Sequence, residues 1–332
     1  MNIAVQNKNS RVGFNAAGRP YSVLAKMLVL SAAFVLSCHF SVSLCASDYF
    51  SRDAVGTAGA QFLKLGAGAR ATAMGNAFSA VADDSTALYW NPAGLYQTNQ
   101  KSLVVAHNIM FEDIYYDWAS FSKPIDSGVI GIGVQYLSYG NIMGRDNTEL
   151  ETGNFQPNDL AVTLGYARMI CGVTAGANLK YITSKIVNTA SAGAIDIGGM
   201  YKMMKDKLAL AAVVQNLGTK MKFIDEKDRL PMNVKLGGSY DVMKGLIADV
   251  DVNFPIDNHV NVCVGSEYSC RINADINASV RVGYTSETKD VGGLNGITAG
   301  AGGEYKGYAL DYSFSPFGDL GNIQRISLGI KF

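Results

Sequence analysis

Charge is scarce in this chain: Asp, Glu, Lys and Arg make up 17% of its 332 residues, against about 25% in ordinary soluble domains. A typical soluble enzyme surface is therefore disfavoured. The 28 basic residues are matched by 28 acidic ones and form no block, and without clustered Lys and Arg nothing grips a phosphate backbone, which excludes nucleic acid as a partner. Cysteine is limited to 5 residues. Cys38 and Cys45 fall in an amino-terminal apolar run, and Cys171, Cys263 and Cys270 are odd in number and match neither a disulfide framework nor a zinc site. They read as isolated thiols. Histidine is limited to 3 residues, and His107 and His259 each lie in or beside an expected strand, as ordinary wall residues. No Gly-x-Ser-x-Gly or His-Glu-x-x-His occurs, so no catalytic residue, metal or cofactor is expected. Disorder is excluded by a hydrophobic content of 48%.

What the chain has instead is an asymmetric amino terminus, abundant glycine and alternation. Residues 1–46 contain Lys8, Arg11, Arg19 and Lys26 and no acid. The run Met27–Ala46 follows, apolar but interrupted by serines, and ends on small residues. A basic region, an apolar region and a small-residue junction at Ala46/Ser47 spell a secretory signal peptide. Its removal leaves a net charge of about −4.

From Lys101 onward no segment sustains a 3.6-residue period, whereas segment after segment alternates with period two. Ile130, Ile132, Val134 and Tyr136 oppose Gly131, Gly133 and Gln135. Leu246, Ala248, Val250 and Val252 oppose Ile247, Asp249 and Asp251. Fourteen such segments are expected between 102 and 332, most of them about ten residues long, the length a tilted strand needs to cross a bilayer. Connections alternate between long (139–157, 216–230, 286–295) and short (171–172, 243–245, 306). Bacterial outer-membrane barrels have this asymmetry, with short turns in the periplasm. A soluble sandwich also alternates, but its exposed face carries Lys and Glu rather than Gly and small polar residues, and Tyr recurs here near strand ends as membrane girdles require. The expected fold is all-β, a transmembrane antiparallel barrel of about 14 strands over 101–332, in the bacterial outer membrane. On a water-filled lumen wall the pair Asp249 and Asp251 needs no catalytic role. The last strand, with Ile326, Leu328 and Ile330 against Arg325, Ser327, Gly329 and Lys331, ends on Phe332. An amphipathic last strand with a terminal aromatic resembles the signal read by the outer-membrane barrel assembly machinery. Leu328 and Ile330 are expected to face lipid, and Ser327 and Gly329 the lumen.

Residues 47–100 differ, with short helical stretches and few alternations. Ala69–Val81 reads as a helix interrupted by Gly75, and Asp84 or Ser85 as the cap of a second turn that Pro92 ends. Such a segment is too small to build its own core, and Gly56–Leu95 is expected inside the barrel as a hatch. Gly66-x-Gly68-x-x-Ala71 imitates a dinucleotide fingerprint, yet no βαβ unit follows; Gly66, Gly68 and Gly75 let the hatch backbone turn and pack closely. Asn91-Pro92-Ala93 fixes a bend where the hatch should meet the first strand; the plainer reading is a turn that anchors the hatch, and the functional one is that this anchor also lines or gates a passage, with Tyr89 and Trp90 supplying apolar surface.

The motif Gly66-Ala67-Gly68-Ala69-Arg70-Ala71-Thr72-Ala73-Met74-Gly75-Asn76-Ala77-Phe78, followed by Ala82-Asp83-Asp84-Ser85-Thr86-Ala87-Leu88-Tyr89-Trp90-Asn91-Pro92-Ala93-Gly94-Leu95, resembles the amino-terminal signature of the PorV/PorQ family. That family belongs with FadL-type outer-membrane transporters, which share the Asn-Pro-Ala element. Leu310–Gly321, leading to Arg325-Ile326-Ser327-Leu328-Gly329, is similar to the same family. The resemblance implies a fourteen-stranded barrel with an amino-terminal hatch, and a non-enzymatic role in one of two settings. One is a scaffold of type IX secretion, holding exported proteins at the cell surface. The other is uptake of hydrophobic small molecules, as in FadL-type channels. The implied partners are outer-membrane lipids, the barrel assembly machinery, and secreted proteins or hydrophobic ligands.

Overall fold

The computed structural model describes Phe50 and residues 54–288, 296–318 and 321–332; the expected signal peptide lies outside them. In chain order the strands are β1 (Ser102–Ile109), β2 (Tyr115–Ile125), β3 (Gly128–Ser138), β4 (Ile142–Arg145), β5 (Glu151–Phe155), β6 (Asn158–Ile170), β7 (Val173–Lys185), β8 (Thr189–Met203) and β9 (Leu208–Gly218). Then come β10 (Met221–Lys222), β11 (Lys227–Asp228), β12 (Asn233–Met243), β13 (Leu246–Pro255), β14 (Asn261–Arg271), β15 (Ile276–Thr285), β16 (Ile297–Tyr305), β17 (Tyr308–Pro316) and β18 (Asn322–Lys331). All but β4, β5, β10 and β11 form one closed 14-strand antiparallel barrel, β1 pairing with β18 from Ser102↔Lys331 to Ile109↔Gln324. The two remaining pairs are hairpins, β4–β5 and β10–β11, within what the sequence alone reads as the plain long connections 139–157 and 216–230.

Period-two alternation is realised as an inside-out distribution of polarity. Ile130 and Ile132 are each 43% exposed on the outer wall, while Gly131 and Gly133, which alternate with them, face the lumen. In β18, Leu328 is 52% exposed and Ser327 only 3%. An outer surface of Ile, Val, Leu and Tyr on every side of the barrel demands an apolar solvent. The turns at 126–127, 171–172, 244–245 and 306–307 lie at the same end as Ser102 and Lys331, and the long connections at the other.

The segment 54–100 fills the lumen. Of the expected helix over 69–81 only α1 (Ala69–Ala73) forms, because the chain turns back at Gly75 and Asn76, both at positive φ (66° and 68°). Asp84 accepts from the Thr86 amide at 2.8 Å just before α2 (Ala87–Trp90), and a 3₁₀ helix follows over Pro92–Gln97. Met74, Phe78, Leu88, Trp90 and Leu95 are fully buried and pack together with wall residues such as Trp118 and Val129. The hatch thus borrows the barrel interior as its core.

Candidate functional site

The hatch is seated in the wall through glycines. Gly176 in β7 and Gly198 in β8 face the Asn91–Pro92 bend so closely that a Cβ on Gly176 would collide with the Pro92 carbonyl group. Gly131, Gly133 and Gly165 form the depression that receives the Leu88 side chain, and on the opposite side Gly265 and Gly283 admit the backbone of Met74 and Gly75. The lumen face is therefore rich in glycine because another stretch of backbone lies against it.

Hydrogen bonds fix what the sockets admit. Asp251 in β13 accepts from the Phe78 amide (3.2 Å), the Ser79 amide (3.1 Å) and the Ser79 hydroxyl (2.5 Å). Asn178 donates to the Leu88 carbonyl at 2.7 Å and Gln215 to the Tyr89 carbonyl at 2.5 Å. Thr298 both accepts from the Gly75 amide and donates to the Ala73 carbonyl, each at 2.9 Å. Ser327 accepts from the Ala69 amide at 2.6 Å, and Thr72 pairs with Ser313 at 2.9 Å. These contacts satisfy helix-terminal and turn backbone groups that the short hatch elements leave open. They also correct the expectation of a solvated Asp249–Asp251 pair, since both residues are 0% exposed. Asp251 clasps the hatch, and neither oxygen of Asp249 has a side-chain hydrogen-bond partner among the described residues.

The sequence-predicted hatch residues come together around one bend. Trp90 is 1% exposed; its indole donates to the Ala67 carbonyl at 2.9 Å, and its ring meets Tyr89 edge-on at 4.7 Å. Asn91 donates to the Ser79 carbonyl at 2.8 Å and accepts from the Ala93 amide at 3.0 Å, capping the 3₁₀ helix that Pro92 opens. A side chain on Gly66 would press against Trp90 at 3.1 Å, and Gly68 holds a φ of 79° at the start of α1. Ile326, Leu328 and Ile330 face outward and lie away from this bend. Phe332 closes the seam, exchanging backbone hydrogen bonds with Lys101 at 3.0 and 3.1 Å while the Lys101 ammonium sits 5.3 Å from its ring.

Two polar clusters were not foreseen from sequence. Arg70 joins hatch to wall, bonding Asp83 at 2.5 Å and Glu267 at 2.8 Å; Glu267 is shared with Arg281, which reaches Asp311 at 2.7 Å. This chain borders a cavity of about 440 Å³ at the short-turn end, with the hatch as its floor. Lys235, 6% exposed, places its ammonium 4.9 Å from the Trp90 ring and lines a second cavity of about 50 Å³ on the other side of the hatch. His107 is in the wall as expected, but on its outer face, where it bonds Asp117 at 2.6 Å. The contacts that join hatch to wall, Arg70 with Glu267 and Lys235 with Trp90, are far apart in sequence, so spacing carries no signal; full charges on the lumen-facing positions of a strand were the only trace.

A closed fourteen-strand barrel with an apolar exterior and a hatch locked in its lumen is an outer-membrane type of architecture. Residues 49–262 match the model of the family described as type IX secretion system protein PorV, and the chain belongs to that family. Among solved structures, the toluene transporter TodX of Pseudomonas putida superposes with a TM-score of 0.55 at 12% identity, over 80% of this chain and 99% of that one. The toluene transporter TbuX of Ralstonia pickettii gives 0.55 at 13% identity, over 80% and 98%. At these identities the likeness is one of fold. No curated protein matches the sequence.

Proposed function

We propose that this protein resides in the bacterial outer membrane and acts as a scaffold in type IX secretion, holding exported proteins at the cell surface. The observation that carries this reading is the state of the lumen. Passage of a hydrocarbon calls for a largely apolar chamber of about 300–1,000 Å³. Here the larger lumenal cavity is bordered by Arg70, Glu267, Arg281 and Asp311, and the smaller, of about 50 Å³, by asparagines and Lys235. Between them the hatch is bonded to the wall on β13, β7, β9, β16 and β18. A hydrophobic solute would have to strip buried charged and amide groups of their partners, at about 1–3 kcal/mol for each group left unsatisfied. The outer surface, with its long connections, is then what the barrel offers.

The test is a deletion strain complemented with the intact protein or with a variant lacking hairpin β4–β5. Secretion scaffolding predicts that type IX substrates lose their surface attachment in the deletion strain and regain it with the intact protein, while toluene uptake stays at the parental level. Normal surface attachment combined with lowered toluene uptake would overturn the reading in favour of a FadL-type channel.

A further inference from the structure

We propose that the hatch threads the barrel from the outside inward, so that the amino-terminal part of the secreted chain lies at the cell surface. There its segment 54–64 covers a small site for hydroxyl- or amide-bearing groups. The inference rests on the membrane orientation given above and goes beyond the scaffold reading. The path is fixed by contacts at both extremities. Gly59 donates to the Arg229 carbonyl at 2.9 Å and Phe50 to the Ile256 carbonyl at 3.4 Å. Gln61 and Lys64 both reach Asp257, at 2.7 and 2.6 Å. Arg229, Ile256 and Asp257 all belong to connections at the long-loop end of the barrel. From there the chain passes α1 and the Asn91–Pro92 bend and enters β1 at Ser102, at the opposite, short-turn end. Val55, Gly56 and Thr57 are exposed, Val55 at 59%.

Beneath this segment lies the cavity of about 50 Å³, between Leu63 above, Trp90 below, and Asn233, Lys235, Asn253 and Asn261 on the wall. It has room for roughly three water-sized groups. The carboxamides form a directed chain across three strands: Asn233 donates to Asn253 at 3.3 Å, and Asn253 donates to Asn261 at 2.9 Å. This chain of carboxamides leaves the Oδ1 of Asn233 as a buried acceptor without a partner among the described residues. The Lys235 ammonium, a donor of three bonds, faces two aromatic rings, and the Glu287 carboxylate that lines the same cavity forms no ion pair with it within 4.0 Å among the described residues. A group that both donates and accepts, a hydroxyl or a carboxamide, satisfies the two together. A hydrocarbon satisfies neither and leaves both desolvated.

Topology and site are tested with cysteines and a membrane-impermeant maleimide on intact cells. Val55→Cys should label from outside, as should Gly144→Cys on hairpin β4–β5, whereas the native Cys171, exposed in the turn 171–172, should label only after permeabilisation. Labelling of Gly144→Cys without Val55→Cys would overturn the threading alone. Silence of both with a reactive Cys171 would overturn the orientation and the display together. The native Cys263, 1% exposed and lining the cavity, reports on the site. It should resist a small thiosulfonate reagent in the intact protein and react severalfold faster in Leu63→Ala and in Leu63→Ala/Asp257→Asn, with glycerol slowing the reaction and saturating toluene leaving it unchanged. Protection by toluene, or none by glycerol, would overturn the assignment of a polar site.

Discussion

At the scale of single residues, the lumen glycines divide into those the hatch presses on and those facing open space, and substitution separates them. Gly176→Leu would place its side chain where the Pro92 carbonyl lies, and backbone cannot be displaced as cheaply as a flexible side-chain end. The hatch should lose its seat at the Asn91–Pro92 bend, and single-channel conductance in planar bilayers should rise from closed to open. The two wall faces are distinguished in the same way. Leu328→Arg puts a charge on the apolar face and should cost about 2–4 kcal/mol if near the midplane, falling to about 0–1 toward an interface. Gly329→Arg points into the 440 Å³ cavity, where a Cβ meets nothing closer than 3.4 Å, and should fold with little loss. Ser327 is no neutral comparison, because its hydroxyl already serves the Ala69 amide. Comparable unfolding midpoints in detergent for the two arginine variants would contradict the face assignment.

At the scale of elements, the strands were legible, and of the hatch only its breaks at Gly75 and Pro92 and its cap at Asp84. Alternation such as Ile130, Ile132 and Val134 against Gly131 and Gly133 reports a single physical fact, which face meets which solvent, and it survives folding intact. The hatch was expected as a helix over 69–81 interrupted by Gly75, yet α1 stops at Ala73 and no helix resumes before residue 81. The wall supplies partners that a longer helix would forgo, such as Thr298 for Gly75 and Asp251 for Phe78 and Ser79. Those partners lie more than 170 residues downstream, beyond anything spacing can reveal. Asp251 illustrates the cost of missing them. Read as a solvated carboxylate it is dispensable, but as the acceptor of three buried hydrogen bonds it ties two hatch amides and a hydroxyl to the wall. Asp251→Ala should therefore destabilise the plugged barrel by about 2–4 kcal/mol, since it strands the Phe78 and Ser79 amides. Limited proteolysis should cut the 74–82 stretch first in that variant, and cleavage equal to that of the parent protein would show the clasp to be superfluous.

At the scale of the whole molecule, closure and plugging share one segment, because the hatch leads directly into β1, whose edge meets β18. The seam is short: β1 offers Ser102–Ile109 to β18, and its last rungs are the paired backbone bonds between Lys101 and Phe332. Phe332 itself is 58% exposed, so its ring contributes little to packing. Its backbone secures the final rung, while its ring lies exposed beside the Lys101 ammonium. Deleting Phe332 removes both the rung and the exposed aromatic. The yield of heat-modifiable, closed barrel in outer-membrane fractions should fall severalfold, with unfolded chain accumulating in the periplasm. Phe332→Ala separates the two contributions, as it keeps the rung and discards only the ring. If Phe332→Ala assembles as poorly as the deletion, recognition of the aromatic dominates; if it assembles like the parent protein, the seam hydrogen bonds do. Full assembly of the deletion variant would show that neither feature governs closure and that the alternation of Ile326, Leu328 and Ile330 alone suffices.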